Sequence, residues 1–152
     1  MIAQRVRYFA YGSNMDADQM KERCPTGQVL GAGMLRDYRL AFTVYSSGWG
    51  GGTADIVHEP GHEVWGVVYV VGMQDLDCLD AFEGCPDHYR RAQLPVHVDG
   101  TEYPGVWVYE VVRKAPFVPP RREYVETMRK AAREYGFPAG YVESLSAVRC
   151  VE

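Results

Sequence analysis

The feature that most limits how this chain can fold is residues 63–71, Glu-Val-Trp-Gly-Val-Val-Tyr-Val-Val. β-Branched and aromatic side chains suit a pleated strand better than a helix. Here apolar residues occupy successive positions rather than alternate ones, so both faces must be covered and the strand must be central. The apolar run ends at Gly72, roughly half the ~18–20 residues that a helix needs to cross a bilayer. It reads as a buried strand.

Further strand signals fall on residues 5–10, 37–44, 53–57, 89–98 and 102–112. In residues 37–44, Tyr38, Leu40, Phe42 and Val44 alternate with polar or small neighbours. Asp99-Gly100 reads as a hairpin turn. Pro95 and Pro104 cannot donate to a ladder and mark edges or bulges. Gly48-Trp49-Gly50-Gly51-Gly52 reads as a loop between two strands.

Helix signals are fewer. Residues 16–23 have acids in the first turn, bases in the last, Pro25 beyond, and Asn14 or Asp16 available as a cap. Residues 74–83 are stopped by Gly84. A third helix follows Pro119-Pro120, with Tyr124, Met128, Ala131 and Tyr135 on one stripe and Gly136 at its end. A fourth covers residues 139–148. This order lacks long β-α-β alternation. It predicts an α+β fold in one domain, residues 1–152, with a small curved, barrel-like mixed β-sheet flanked by helices. A chain of 152 residues is long enough to bury a core and hold a pocket without staples.

Charge and cysteine usage exclude several functions. The formal net charge is −4, and no basic cluster exceeds Arg121-Arg122, so a nucleic-acid partner is not expected. The N-terminus lacks an apolar stretch followed by a cleavage site. Cys24, Cys78, Cys85 and Cys150 contain no Cys-x-x-Cys pair and form no metal-ligand pattern with the four histidines. His58 and His62 flank Pro60-Gly61, which breaks any helix that would align them. The expectation is a cytoplasmic protein with reduced cysteines, no metal and no membrane association.

Two places could carry chemistry. Leu76, Leu79 and Glu83 share a helix face whose first two members are apolar. Glu83 also sits in the last helical turn, where the macrodipole disfavours negative charge. Both effects raise its pKa and suit it to general acid–base work. The alternative is a helix-end acid that bends into solvent or pairs with Arg90 or Arg91. The second place is Tyr8-Phe9-Ala10-Tyr11-Gly12-Ser13-Asn14, where a strand runs through Gly-Ser-Asn into a helix. Gly permits unusual backbone geometry, Ser or Asn can cap, and the N–H groups of such a junction form a carboxylate or oxyanion site. The alternative is a well-capped β-α turn. It is not a Walker loop, and Ser13 lacks the Gly-x-Ser-x-Gly setting of a hydrolase nucleophile. Of the many tyrosines, one or two can reach a pocket, since a buried hydroxyl needs a partner.

These residues resemble the gamma-glutamylcyclotransferase family (AIG2-like superfamily). Tyr11-Gly12-Ser13-Asn14 is similar to its Tyr-Gly-Ser-Asn signature, and Gly61-His62-Glu63-Val64-Trp65-Gly66-Val67-Val68 to its central strand. Leu79-Asp80-Ala81-Phe82-Glu83-Gly84 is similar to its Leu-Asp-x-x-Glu-Gly segment. Pro119-Pro120 with Tyr124, and Gly136-Phe137-Pro138 with Tyr141, resemble its C-terminal helices. The likeness spans residues 8–145. It implies a barrel-like α+β domain that cyclises a γ-glutamyl group, releasing 5-oxoproline and an amine or amino acid, without metal or organic cofactor. It implies Glu83 as the catalytic acid/base, and Tyr8, Phe9, Ala10, Tyr11, Gly12, Ser13, Asn14, Tyr109 and Tyr124 as substrate-binding residues. The partner implied is a small γ-glutamyl molecule, and the assembly a monomer or homodimer. A γ-glutamylamine or γ-glutamyl-metabolite cyclotransferase of the same fold, or a non-catalytic small-ligand-binding protein, are the alternatives. Cys85-Pro86-Asp87-His88 and the short loop before Thr53 depart from the family pattern and border the expected pocket mouth.

Overall fold

Strand β1 (Arg5–Ala10) leads through a 3-10 turn (Ser13–Met15) into α1 (Ala17–Arg23). A long hairpin follows, β2 (Gln28–Ser46) and β3 (Gly51–Gly72), then α2 (Met73–Glu83). A second hairpin, β4 (Tyr89–Val98) and β5 (Thr101–Val111), precedes α3 (Arg122–Glu134) and α4 (Ala139–Ser146). This computed structural model describes residues 4–151; Met1, Ile2, Ala3 and Glu152, included in the one-domain reading, lie outside the described residues.

The strands close on themselves in the order β1-β3-β2-β4-β5. Four of the joints are antiparallel, and β5 meets β1 in parallel at Trp107 and Tyr8. The α+β expectation with a mixed, barrel-like sheet therefore holds. So does the central strand. Val67 and Val68 are consecutive, point to opposite faces, and are both fully buried.

The strand boundaries differ from expectation in the long hairpin. Residues 53–57 and 63–71 are not two strands but parts of one, β3, which continues through Pro60-Gly61. Tyr38 pairs with His58 and Arg36 with Glu63, so four residues of β3 bow out opposite Asp37 alone. Pro60 therefore owes no ladder bond, and the Gly61 N–H is taken by the Asp37 carboxylate at 3.1 Å. Asp37 itself adopts φ 66°, the conformation the bend requires. β2 likewise begins nine residues before its expected start, because Gly31 and Gly33 dilute its strand signal.

Gly33 has a packing reason. It lies directly opposite Gly66 in the β2/β3 register. A Cβ on Gly66 would stand 2.8 Å from the Phe9 ring and 2.3 Å from the Ala10 carbonyl oxygen; one on Gly33 would meet Val68 at 2.7 Å. The paired glycines leave a hollow that Phe9, fully buried, fills. Tyr8 points the other way, meeting Tyr69 and Tyr109 with ring centroids 6.3 and 5.8 Å apart. β1 is thus locked on one face so that its other face can serve a pocket.

The helices follow their sequence cues. Asp16 caps α1, its carboxylate accepting from the Gln19 N–H at 3.1 Å. Gly84 ends α2 at φ 65°. Tyr124, Met128 and Ala131 of α3 are buried as one stripe. The strap between β5 and α3 crosses Gly52 so closely that a Cβ there would lie 1.9 Å from the Val118 carbonyl oxygen. The crossing is held by Gly52 N–H to Pro119 O (2.9 Å) and Val118 N–H to Phe42 O (2.8 Å), and it sets where α3 begins.

Replacing Gly66 by Ala forces β1 away from β3 and is expected to lower stability by about 2–3 kcal/mol in urea unfolding. Gly140→Ala, at a helical site with nothing within 4 Å of the new methyl, is expected to raise it by about 0.4–1 kcal/mol.

Candidate active site

The end of β1, the 3-10 turn, the end of α2 and the start of α3 converge on a pocket of about 630 Å³. Gly12 is one of the residues that line it. Its φ is −113°, so no left-handed backbone requires glycine here. The need is for space: a Cβ would stand 2.6 Å from the Tyr124 hydroxyl and 3.2 Å from the Ala54 methyl. Tyr124 in turn accepts from the Ala54 N–H at 3.0 Å, tying α3 to the start of β3.

Glu83, in the last turn of α2, lines the same pocket and is half-buried. Leu76 and Leu79, fully buried on the same face, hold the helix so that the carboxylate turns inward. Its Oε1 accepts from Asn14 Nδ2 at 3.3 Å. The same Nδ2 donates to the Tyr8 hydroxyl at 2.8 Å. The Asn14 Oδ1 accepts from Gln19 Nε2 at 2.8 Å and from an Arg23 guanidinium nitrogen at 2.7 Å. The Asn14 carbonyl oxygen accepts from the Tyr69 hydroxyl at 3.0 Å. One buried asparagine, through its side-chain amide and its backbone carbonyl, therefore joins β1, β3, α1 and α2. Arg91 pairs with Asp77 and Asp80 rather than with Glu83.

Burial pushes the Glu83 carboxyl up to about 7; Arg23 and the Asn14 hydrogen bond hold it back, and Asp80 adds to the rise. The surrounding phenols are raised too, chiefly by burial: Tyr8, Tyr11 and Tyr89 well above their usual value, Tyr124 to about 12. The pocket thus offers one carboxyl that titrates near neutrality among phenols that stay protonated. A group of that kind can both take and return a proton.

The family model described as Gamma-glutamyl cyclotransferase, AIG2-like, matches residues 8–129. The chain belongs to this family. The Gamma-glutamylcyclotransferase of Homo sapiens is 32% identical over 146 residues, covering 93% of this chain and 77% of that protein. A solved structure named Gamma-glutamyl cyclotransferase matches with a TM-score of 0.92 at 30% identity, over 98% of this chain and 90% of that one. The Gamma-glutamylaminecyclotransferase of Bos taurus is 48% identical over 61 residues, 32% of this chain and 36% of that protein. The chain is an enzyme of the cyclotransferase kind.

The cyclotransferase structure brings Tyr8, Phe9, Tyr11, Gly12, Ser13, Asn14, Glu83, Tyr109 and Tyr124 to one pocket. Ala10 is not among the lining residues and is buried in the core instead. The Tyr11 hydroxyl donates to the Tyr109 carbonyl oxygen at 2.6 Å and the Tyr109 hydroxyl to Asp80 at 2.7 Å, so both phenols brace the wall. Asn14 does not cap α1; Asp16 does, which leaves the Asn14 side chain for the pocket. Of the two departures from the family pattern, His88 lines the pocket, as do Gly48 and Trp49, whereas Cys85 does not. Among the described residues no group of three or more His, Cys, Asp or Glu is placed to hold a metal, and no helix is long and apolar enough to cross a membrane. The four cysteines are unpaired with one another.

Sequence reasoning missed Arg23, Gln19 and Thr53, and reached Trp49 only as part of a loop expected at the pocket mouth. Arg23 had a sufficient local explanation as a base at a helix C-terminus. Trp49 lay in a glycine run and packs edge-on against Tyr124 at 4.9 Å between centroids. Tyr89 was visible only as one of many strand tyrosines; its hydroxyl reaches Thr53 Oγ1 at 2.9 Å and the Ala54 carbonyl at 2.8 Å.

A carboxyl raised by the fold stabilises the folded state fully below its unfolded value near 4.5, and that contribution is lost as pH rises through about 7. Glu83→Gln escapes the loss. Thermal melts at pH 5 and pH 8 are therefore expected to show the variant gaining about 1–3 kcal/mol on the wild type across that interval. A constant difference between the two pH values removes the assigned shift.

Proposed function

We propose that this cyclotransferase converts a γ-glutamyl compound to 5-oxoproline and a free amine or amino acid, with Glu83 as the acid–base residue. The observation that carries the reading is a half-buried carboxyl, held near neutrality, 3.3 Å from a fixed amide and facing the turn that ends β1. The substrate's α-amine must attack its own γ-carbonyl carbon. At neutral pH that amine is an ammonium, so Glu83 takes its proton first. The new C–N bond closes a five-membered ring as the old amide C–N bond breaks; the proton held by Glu83 passes to the departing nitrogen, and the second proton shed by the ring nitrogen follows it, so the amine leaves as an ammonium. Atoms balance without water.

The N–H groups of Tyr11, Gly12 and Ser13 hold the oxyanion or the substrate α-carboxylate. One such donor is worth about 2.7–4 kcal/mol in related chemistry. Folding the γ-glutamyl arm so that nitrogen meets carbon at roughly 3–3.5 Å supplies the rest through proximity. Tyr8 and Tyr124 shape the walls, and Ser13 acts as part of the cradle, not as a nucleophile.

The amine side of the substrate lies toward Trp49 and His88. The local likeness to a Gamma-glutamylaminecyclotransferase supports a second reading with the same chemistry and an amine without a carboxylate. A panel of γ-glutamyl amino acids and γ-glutamyl amines, scored by 5-oxoproline release, separates the two. Glu83→Gln is expected to fold and to lose about 10²–10⁴-fold in turnover. Retention of most activity would falsify the acid–base assignment. Ligand-induced thermal stabilisation of the wild type without product would indicate a binding protein.

A further inference from the structure

Arg23 lines the pocket from α1 and is the one Lys or Arg side chain there among the described residues. Its guanidinium lies over the Phe82 ring, 4.7 Å from the centroid, and this gives a role to a phenylalanine that is 59% exposed. From there it donates to Asn14 Oδ1 at 2.7 Å. A guanidinium has donors only. It therefore dictates which way the Asn14 amide faces: oxygen toward Arg23, nitrogen toward Tyr8 and Glu83. Gln19 also donates to that oxygen, but its own amide can turn and offer an acceptor, so it does not enforce the orientation.

We propose that Arg23 is a positioning residue for the reaction, locking the Asn14 amide so that it donates to the Glu83 carboxylate and setting by its charge the pH range in which that carboxylate is available. The proposal rests on Glu83 being the base. Without Arg23 the Asn14 amide can flip and present its oxygen to Glu83, which repels the ionised form. The other groups facing this site do not supply the same effect. Tyr8 on β1, Tyr11 just beyond its end, Tyr89 on β4, Tyr109 on β5 and Tyr124 on α3 are all raised by burial and stay neutral. Asp80 on α2 adds negative charge, and His88 stands at the exposed rim.

The test is the pH dependence of kcat and kcat/KM for wild type, Arg23→Met and Arg23→Lys, measured with one γ-glutamyl amino acid and one γ-glutamyl alkylamine. In Arg23→Met the acid limb is expected to move up by about one pH unit, a roughly tenfold loss at pH 6 that recovers in alkali, equally for both substrates. Arg23→Lys, which keeps a donor-only cation, is expected to move the limb back. Arg23→Gln gives the same readout if the methionine variant does not fold. An acid limb unmoved in the uncharged variants, or a lysine variant that behaves like them, overturns the proposal. So does a KM increase confined to the amino-acid substrate, which would make Arg23 an anchor for the leaving group's carboxylate. Glu83→Gln run alongside separates the two failures: if it is inactive while the limb stays put, only the role of Arg23 falls.

Discussion

The Asn14 side chain is the joint on which the site depends. One amide receives two donors from α1 on its oxygen and gives two hydrogen bonds from its nitrogen, to Tyr8 and to Glu83. A buried amide left half-satisfied costs about 1–3 kcal/mol, so this geometry is enforced rather than incidental. Because its partners come from β1, α1 and α2, the same four contacts that satisfy the amide also dock two helices against a strand. Stability and site geometry are set by one group.

The barrel gives this joint its place. Phe9 fills the hollow left by Gly33 and Gly66, which pins β1 against the long hairpin and leaves Tyr8 on the pocket side. Gly12 then lets Tyr124 approach the backbone, and the strap over Gly52 brings α3 to the correct position for it. The pocket ends up walled by phenols whose burial keeps them protonated. In such surroundings a lone carboxyl titrates near neutrality, because desolvation outweighs the Arg23 charge that opposes it.

Much of the fold was legible because its signals are local. The residue 63–71 run could only be a strand covered on both sides. Helix ends were marked by Asp16, Gly84 and Gly136, and the Asp99-Gly100 turn by its two residues. What failed to read was where a tertiary contact overrode local chemistry. Pro60-Gly61 looks like a break but is a bulge tied down by Asp37, twenty-four residues away. Gly31 and Gly33 look like turn formers, yet Gly33 makes room for an aromatic ring. Arg23 has the same identity in a helix-dipole argument as in a pocket wall, so its sequence position could not distinguish the two.

The sequence by itself determined that Glu83 would share a helix face with two leucines, that a Gly-Ser-Asn turn would follow a strand, and that the element order would give an α+β barrel-like domain. Those are consequences of periodicity, capping and motif spacing, all readable along one dimension. Only the tertiary structure decided that the glutamate faces the turn, that Arg23 and Gln19 both reach the Asn14 amide oxygen, and that Ala10 stays out of the pocket lining. Those depend on which strands become neighbours in the closed sheet, and pairing between residues dozens of positions apart leaves no local mark on the chain.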